Sequence, residues 1–301
     1  MDQSAIGHPL TPALHAIPQT ECMIGLTISH RNIGEIMKVF TKVQISLVAA
    51  ASCFALLCGT TVSNAQNSQP NKIGTVILVH GAWADGSSWS KVIPRLAAKG
   101  LNVVAVQLPL TSLANDVATV ERAIAVAPAP VLLVAHSYGG VVITEAGNDP
   151  KVVGLVYVAA FAPDAGESAQ TLNSKYPASP IAADNLITAD SEGNLKLLPK
   201  GILTDFAEDL PLIEKTTLIA TQGPTAQAVL GTPVTTAAWR TKPSWFIIAG
   251  HDRIIQPQLE EFMSKRMDAT TITADSCHVV MLSKPEVVTE VILRASHSFD
   301  K

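Results

Sequence analysis

Residues 130–140 read PVLLVAHSYGG, and the fold class is decided in this stretch. Pro130–Ala135 is an unbroken apolar run of strand length, the pattern of a strand covered on both faces. A helical pattern over Tyr138–Ala146 follows with no loop between. Ser137 stands in the corner, with Gly139 and Gly140 behind it. A strand that turns at once into a helix holds such a serine on a tight, strained turn with its hydroxyl above the sheet edge. The flanking positions must be small because the two backbones approach closely. The usual spacing is G-x-S-x-G; here Ala135 takes the place of the first glycine, a departure of one methyl.

Working outward, Thr75–His80 (TVILVH) reads as a first strand and Ser88–Lys99 as a helix, capped by Ser87 or Ser88 and stopped by Gly100. Leu101–Pro109 is a second strand, and Val117, Val120 and Ile124 mark one face of a helix. Downstream come a strand over Val152–Phe161, a strand over Ser244–Gly250, and a helix with Leu259, Phe262, Met263 and Met267 on one side. A strand at Thr270–Ala274 and a helix over Lys284–Ala295 complete the series. This alternation predicts right-handed βαβ units, hence an α/β fold with a mostly parallel central sheet flanked by helices. Residues 164–240 break the rhythm; they are richer in Pro, Ser, Thr and Asn, with a hairpin pattern over Ile187–Leu198. They read as an inserted cap.

The chain has 301 residues, 48% hydrophobic and 15% charged, with a formal charge of −4. That composition excludes a disordered polymer, a collagen-like repeat and a charged coiled coil. With no Lys/Arg block, nucleic acid is not an expected partner. Met37 opens a second start: Lys38 and Lys42 supply a positive region, Ile45–Gly59 is uncharged, and Ser63-Asn64-Ala65 offers small residues for cleavage before Gln66. The reading is an upstream extension over 1–36, a signal peptide over 37–65 and the folded α/β domain over 66–301. It places the protein in the periplasm or outside the cell, with no membrane association after cleavage. A retained N-terminal anchor is the alternative, and N-terminal sequencing of exported protein separates the two. Cys277 is then the single remaining cysteine, and no internal disulfide supports the fold.

A serine hydroxyl needs a base, and the base an orienting carboxylate. Asp252 lies in the loop just past the strand at Ser244–Gly250, and His278 in the loop past Thr270–Ala274. With Ser137 they would all emerge at the carboxyl edge of the sheet, where open α/β folds place their sites, in the chain order Ser, Asp, His. Asp164, after the fourth strand, is the rival acid. His80, His136 and His251 each neighbour a motif residue and are expected to order loops, and Cys277 to be a buried small hydrophobe. Acyl transfer also needs preorganised N–H donors for its oxyanion. Those expected are the backbone N–H of Tyr138 and that of Ala82, in the turn His80-Gly81-Ala82-Trp83. Trp83, Trp89, Tyr138, Phe161, Phe206 and Trp239 are candidate pocket walls.

Assembled, these segments resemble the α/β-hydrolase superfamily, and within it the branch of plant methylesterases, hydroxynitrile lyases and bacterial pyrethroid-hydrolase-like esterases. The resemblance rests on VILVHGAW (76–83), LLVAHSYGG (132–140), YVAAFAPD (157–164), IIAGHDRIIQP (247–257) and CHVVMLSKPEVV (277–288). The lyases carry threonine where this chain has Gly81 and lysine where it has Val279. The resemblance therefore implies ester hydrolysis rather than cyanohydrin cleavage, and Ser137 in place of an aspartate argues against dehalogenase or epoxide hydrolase chemistry. The expectation is a serine hydrolase acting on small-molecule carboxylic esters through an acyl-enzyme, with no metal or organic cofactor. A lactonase or amidase with the same residues, or a non-catalytic ligand-binding homologue, stays open.

Overall fold

The computed structural model describes residues 72–300; the extension expected over 1–36 and the leader over 37–65 lie outside the described residues. Nine strands among the described residues run β1 (Thr75–Val79), β2 (Val103–Ala105), β3 (Val131–Ser137), β4 (Val152–Ala160), β5 (Ile187–Ala189), β6 (Asn194–Leu197), β7 (Thr225–Ala226), β8 (Ser244–Ala249) and β9 (Thr270–Ala274). Six form one sheet in the order β2-β1-β3-β4-β8-β9, and every pairing in it is parallel. Every residue of β1 and of β3 is buried, as continuous apolar runs require when helices cover both sheet faces. The chain leaves β1 for the edge strand β2 and returns to β3 on the other side. A crevice therefore opens between the carboxyl ends of β1 and β3, the switch point at which such sheets bind ligands.

The helix expected around Val117 spans Leu113–Val126, its first turn capped by the Ser112 side chain, which accepts from the Asn115 N–H at 3.2 Å. The one expected over Ser88–Lys99 is divided into a 3₁₀ turn at Gly86–Trp89 and a helix at Ile93–Ala97. Pro94 explains the break: with no N–H it begins a helix readily and continues one poorly. Asp85, not Ser87 or Ser88, caps the 3₁₀ turn, accepting from the Ser87 N–H at 2.6 Å. The second strand is shorter than Leu101–Pro109 because β2, at the sheet edge, pairs only with β1. Around the helix Pro257–Arg266, Leu259, Met263 and Met267 are buried as expected, whereas Phe262 is exposed and Glu260 is fully buried in the same stripe.

Between β4 and β8 lies the insertion. Its expected hairpin is β5 and β6, and β7 adds a third antiparallel strand. Short helices at Ala169–Asn173, Pro180–Ala183 and Gln227–Gly231 accompany it, with a longer one at Leu212–Thr221. Buried Asp205 of the insertion meets Arg253 Nε of the β8 loop at 2.5 Å, joining cap to core. Among the described residues no helix is long and apolar enough to cross a membrane.

Candidate active site

Ser137 closes β3 at φ +53, in the left-handed region that costs a non-glycine residue energy. The helix Gly139–Ala146 starts immediately behind it. A Cβ on Gly139 would stand 2.6 Å from the His80 carbonyl oxygen and 2.8 Å from that of Val79, so only glycine lets the helix start this close to the end of β1. The loop after β1 presses on the serine from the other side: a Cβ on Gly81 would stand 2.7 Å from the Ser137 Cβ. Ser137, Ala82 and Tyr138 together line a cavity of about 390 Å³, with Trp83, Phe161, Ile181, Leu195 and Ile254 among its walls. The other lining side chains include Gln170, Asn173, Ser179 and Gln227, and none carries a formal charge. The Ala82 N–H has no acceptor among the described residues.

Asp252 and His278 are brought together. The His278 Nδ1–H donates to Asp252 Oδ2 at 2.5 Å, with both side chains fully buried. The second carboxylate oxygen, Oδ1, accepts the N–H groups of Ile254 at 2.7 Å and Ile255 at 2.8 Å, which fixes the carboxyl plane. The far nitrogen of the imidazole, Nε2, is buried and has no hydrogen-bond partner among the described residues, Ser137 included. His136, the residue before Ser137 in β3, has its ring centroid 4.6 Å from that of His278. Phe206, from the insertion, packs on the same imidazole at 5.3 Å.

The other histidines take the ordering roles expected of them. Burial and the neighbouring His278 hold the His136 pKa well below the usual histidine range, so the ring is neutral. Its Nε2 then carries the proton and donates to the His278 carbonyl at 3.1 Å. His80 Nε2 accepts the Leu108 N–H at 2.9 Å, which leaves Nδ1–H to donate to the Gly81 carbonyl at 2.8 Å. His251, exposed, pairs with Asp275 at 2.7 Å. Asp164, the rival acid, is engaged by Arg240, whose Nε lies 2.7 Å away. Cys277 is buried, and burial with the adjacent Asp209 carboxylate pushes its thiol pKa up. Of the six aromatic residues expected at the pocket, Trp83, Tyr138 and Phe161 line it. Trp89 is in the core, Phe206 covers His278, and Trp239 donates its indole N–H to the Pro163 carbonyl at 2.8 Å.

Asp116, Thr225 and Glu260 are among the buried polar residues not singled out from the sequence. Asp116 accepts the Tyr138 hydroxyl at 2.8 Å. Thr225 accepts the Trp83 N–H at 3.1 Å. Glu260 accepts the Ala249 N–H at 3.1 Å, while burial and the nearby Asp252 carboxylate raise its pKa well above the usual carboxylate range. Periodicity could have found two of them. Asp116 falls on the stripe of Leu113, Val120 and Ile124, and Glu260 on that of Met263 and Met267. A wider depression of about 600 Å³, lined by Glu208, Asp209, Arg253 and Cys277, touches Asp252 but not Ser137. Burial there raises the Glu208 carboxyl to about 7, and Asp209 and Asp252 add to the rise.

The comparisons with known proteins agree with this architecture. Over 245 residues, 73% of this chain and 96% of its relative, the sequence is 26% identical to "Alpha/beta hydrolase nvfD" of Aspergillus novofumigatus. A pyrethroid hydrolase from Sphingobium faniae superposes with a TM-score of 0.65 at 22% identity, covering 75% of this chain and 98% of that one. Polyneuridine aldehyde esterase superposes with a TM-score of 0.64 at 19% identity, covering 75% and 100%. The profile of the Alpha/beta hydrolase family matches residues 76–291, and the chain belongs to that family.

Proposed function

We propose that the protein is a serine esterase that cleaves small, uncharged carboxylic esters through an acyl-enzyme. The reading is carried by one observation: a buried Asp252–His278 pair whose imidazole packs on the residue before Ser137 in β3, with the serine itself opening onto an uncharged cavity. Ser137 Oγ attacks the ester carbonyl carbon while His278 Nε2 takes its proton. Asp252, bonded to Nδ1–H, holds the tautomer that leaves Nε2 basic and stabilises the imidazolium that forms. The N–H groups of Ala82 and Tyr138 receive the oxyanion, each such donor being worth about 10²–10³ in rate. The imidazolium then protonates the departing alcohol, and water repeats the sequence on the acyl-enzyme. The missing Ser137–His278 hydrogen bond is compatible with this, because catalytic hydrogen bonds often close only around substrate. A cavity without formal charge favours neutral esters over carboxylate-bearing ones, since a charged group would be desolvated there without a partner.

Acylation by an organophosphonate tests the proposal directly. Intact-mass labelling of the wild-type chain is expected, with loss of the label in Ser137→Ala. Labelling that persists in the variant places the nucleophile elsewhere. A panel of p-nitrophenyl esters, lactones and anilides then fixes the scissile bond.

A further inference from the structure

Trp83 follows Ala82 in the loop after β1, and its φ of +58 lies in the left-handed region. For a tryptophan that conformation is unfavourable, so something must hold it. Both holding contacts come from the insertion. The Trp83 N–H donates to Thr225 Oγ1 at 3.1 Å, and the indole N–H donates to the Leu195 carbonyl at 3.1 Å. Leu195 and Thr225 are directly paired across β6 and β7, so a single rung of that antiparallel pair supplies both acceptors. Thr225 is fully buried and is not among the residues that line the cavity.

The next residue reaches the side chain of Tyr138, whose backbone N–H is the other donor. The Ala226 N–H donates to the Leu110 carbonyl at 2.9 Å, and Leu110 is also left-handed, at φ +55. The Leu110 N–H donates to Asp116 Oδ1 at 2.8 Å, while Asp116 Oδ2 accepts the Tyr138 hydroxyl at 2.8 Å. The two-residue strand β7 is thereby tied to Ala82 through Trp83 and to Tyr138 through Leu110 and Asp116.

We propose that β7 sets the oxyanion donors of this enzyme, with Thr225 as a positioning residue that holds the Ala82–Trp83 peptide and so aims the Ala82 N–H. The inference rests on the acyl-transfer reading of Ser137. It gives the insertion a part in catalysis beyond walling the cavity. Oxyanion stabilisation depends on donors fixed before charge develops. Without the Thr225 hydroxyl, Trp83 keeps a buried N–H with no partner and only the indole bond to Leu195 to retain its backbone conformation, and the Ala82 N–H loses its aim.

Thr225→Val is close in shape and lacks the acceptor; Thr225→Ser keeps it; Trp83→Phe removes the indole bond and trims the cavity wall that Trp83 supplies. All are made in the full chain. The readouts are kcat and KM on a p-nitrophenyl ester, and the Ki of phenylboronic acid. That acid mimics the tetrahedral state when the Ser137 oxygen adds to boron and its proton passes to His278. Thr225→Val is expected to lower kcat about 10- to 100-fold with KM within twofold, and to raise Ki by the same factor as kcat falls. Thr225→Ser restores both, and Trp83→Phe shows a smaller parallel change. The proposal is overturned if Ki stays at the wild-type value in Thr225→Val and Trp83→Phe, whether or not kcat or melting temperature falls. A wild-type chain that is neither labelled at Ser137 by an organophosphonate nor inhibited by the boronic acid overturns the esterase reading itself, and this inference with it.

Discussion

Ser137 and the residues around it show how little freedom the proposed site has. The serine is left-handed, Gly81 and Gly139 admit no Cβ, and the Asp252 carboxylate is fixed by two backbone N–H groups as well as by His278. The two acids that the sequence left in competition have separate fates. Asp252 touches the imidazole, whereas Asp164 is held by Arg240, which together with its neighbour Arg266 keeps that carboxyl below the usual range. Asp252→Asn is expected to lower kcat by about 10⁴, because an amide cannot hold His278 in the Nδ1–H tautomer. Asp164→Asn should stay within a few-fold of wild type. Steady-state kinetics on one ester separate them, and equal losses in the two variants would remove Asp252 from its role.

At the level of elements, the strand-to-helix corner is the best-determined part of the molecule. The helix Gly139–Ala146 begins against the carbonyls of Val79 and His80, so a methyl at Gly139 must push it off the sheet. Overpacking of this kind typically costs about 1–3 kcal/mol. Gly139→Ala is expected to lower the thermal midpoint and to slow organophosphonate labelling, since the Tyr138 N–H moves with the helix. An unchanged melting curve would show that the corner has slack. Most elements here were legible because their signals are local: the β-branched run at Thr75–Val79, the stripe of Val117, Val120 and Ile124, and the serine between strand and glycines. Where a non-local partner decides, local pattern misled. The residues around Val103–Ala105 stop pairing because β2 is an edge, and Phe262 was exchanged for Glu260 because an apolar residue was assumed to be the buried one.

Across the whole molecule, buried carboxyl groups couple stability to pH in opposite senses. Burial raises Asp116, Glu208 and Glu260, whereas arginine, lysine or hydrogen-bond partners lower Asp164, Glu167 and Asp209. For Glu208 the folded value of about 7 lies above the unfolded value of 4.5, so the folded state binds the proton more tightly. Its favourable contribution is complete below pH 4.5 and is lost as the pH rises through about 7. Glu208→Gln removes that loss: its melting temperature should gain on wild type between pH 5 and pH 8, and a constant offset across thermal melts would contradict the sign. The sequence by itself determined the α/β class, the parallel sheet, the site of the insertion and the five positions at the sheet's carboxyl edge: Ser137, Asp252, His278, Ala82 and Tyr138. These follow from periodicities and turn residues that act within a few positions along the chain. Only the tertiary structure decided that Asp252 rather than Asp164 meets His278, that half of the aromatic candidates wall the cavity, and that Thr225 grips Trp83. Those contacts join residues 26 to 142 positions apart, and a distance of that kind is set by how strands and helices pack, which no local pattern records.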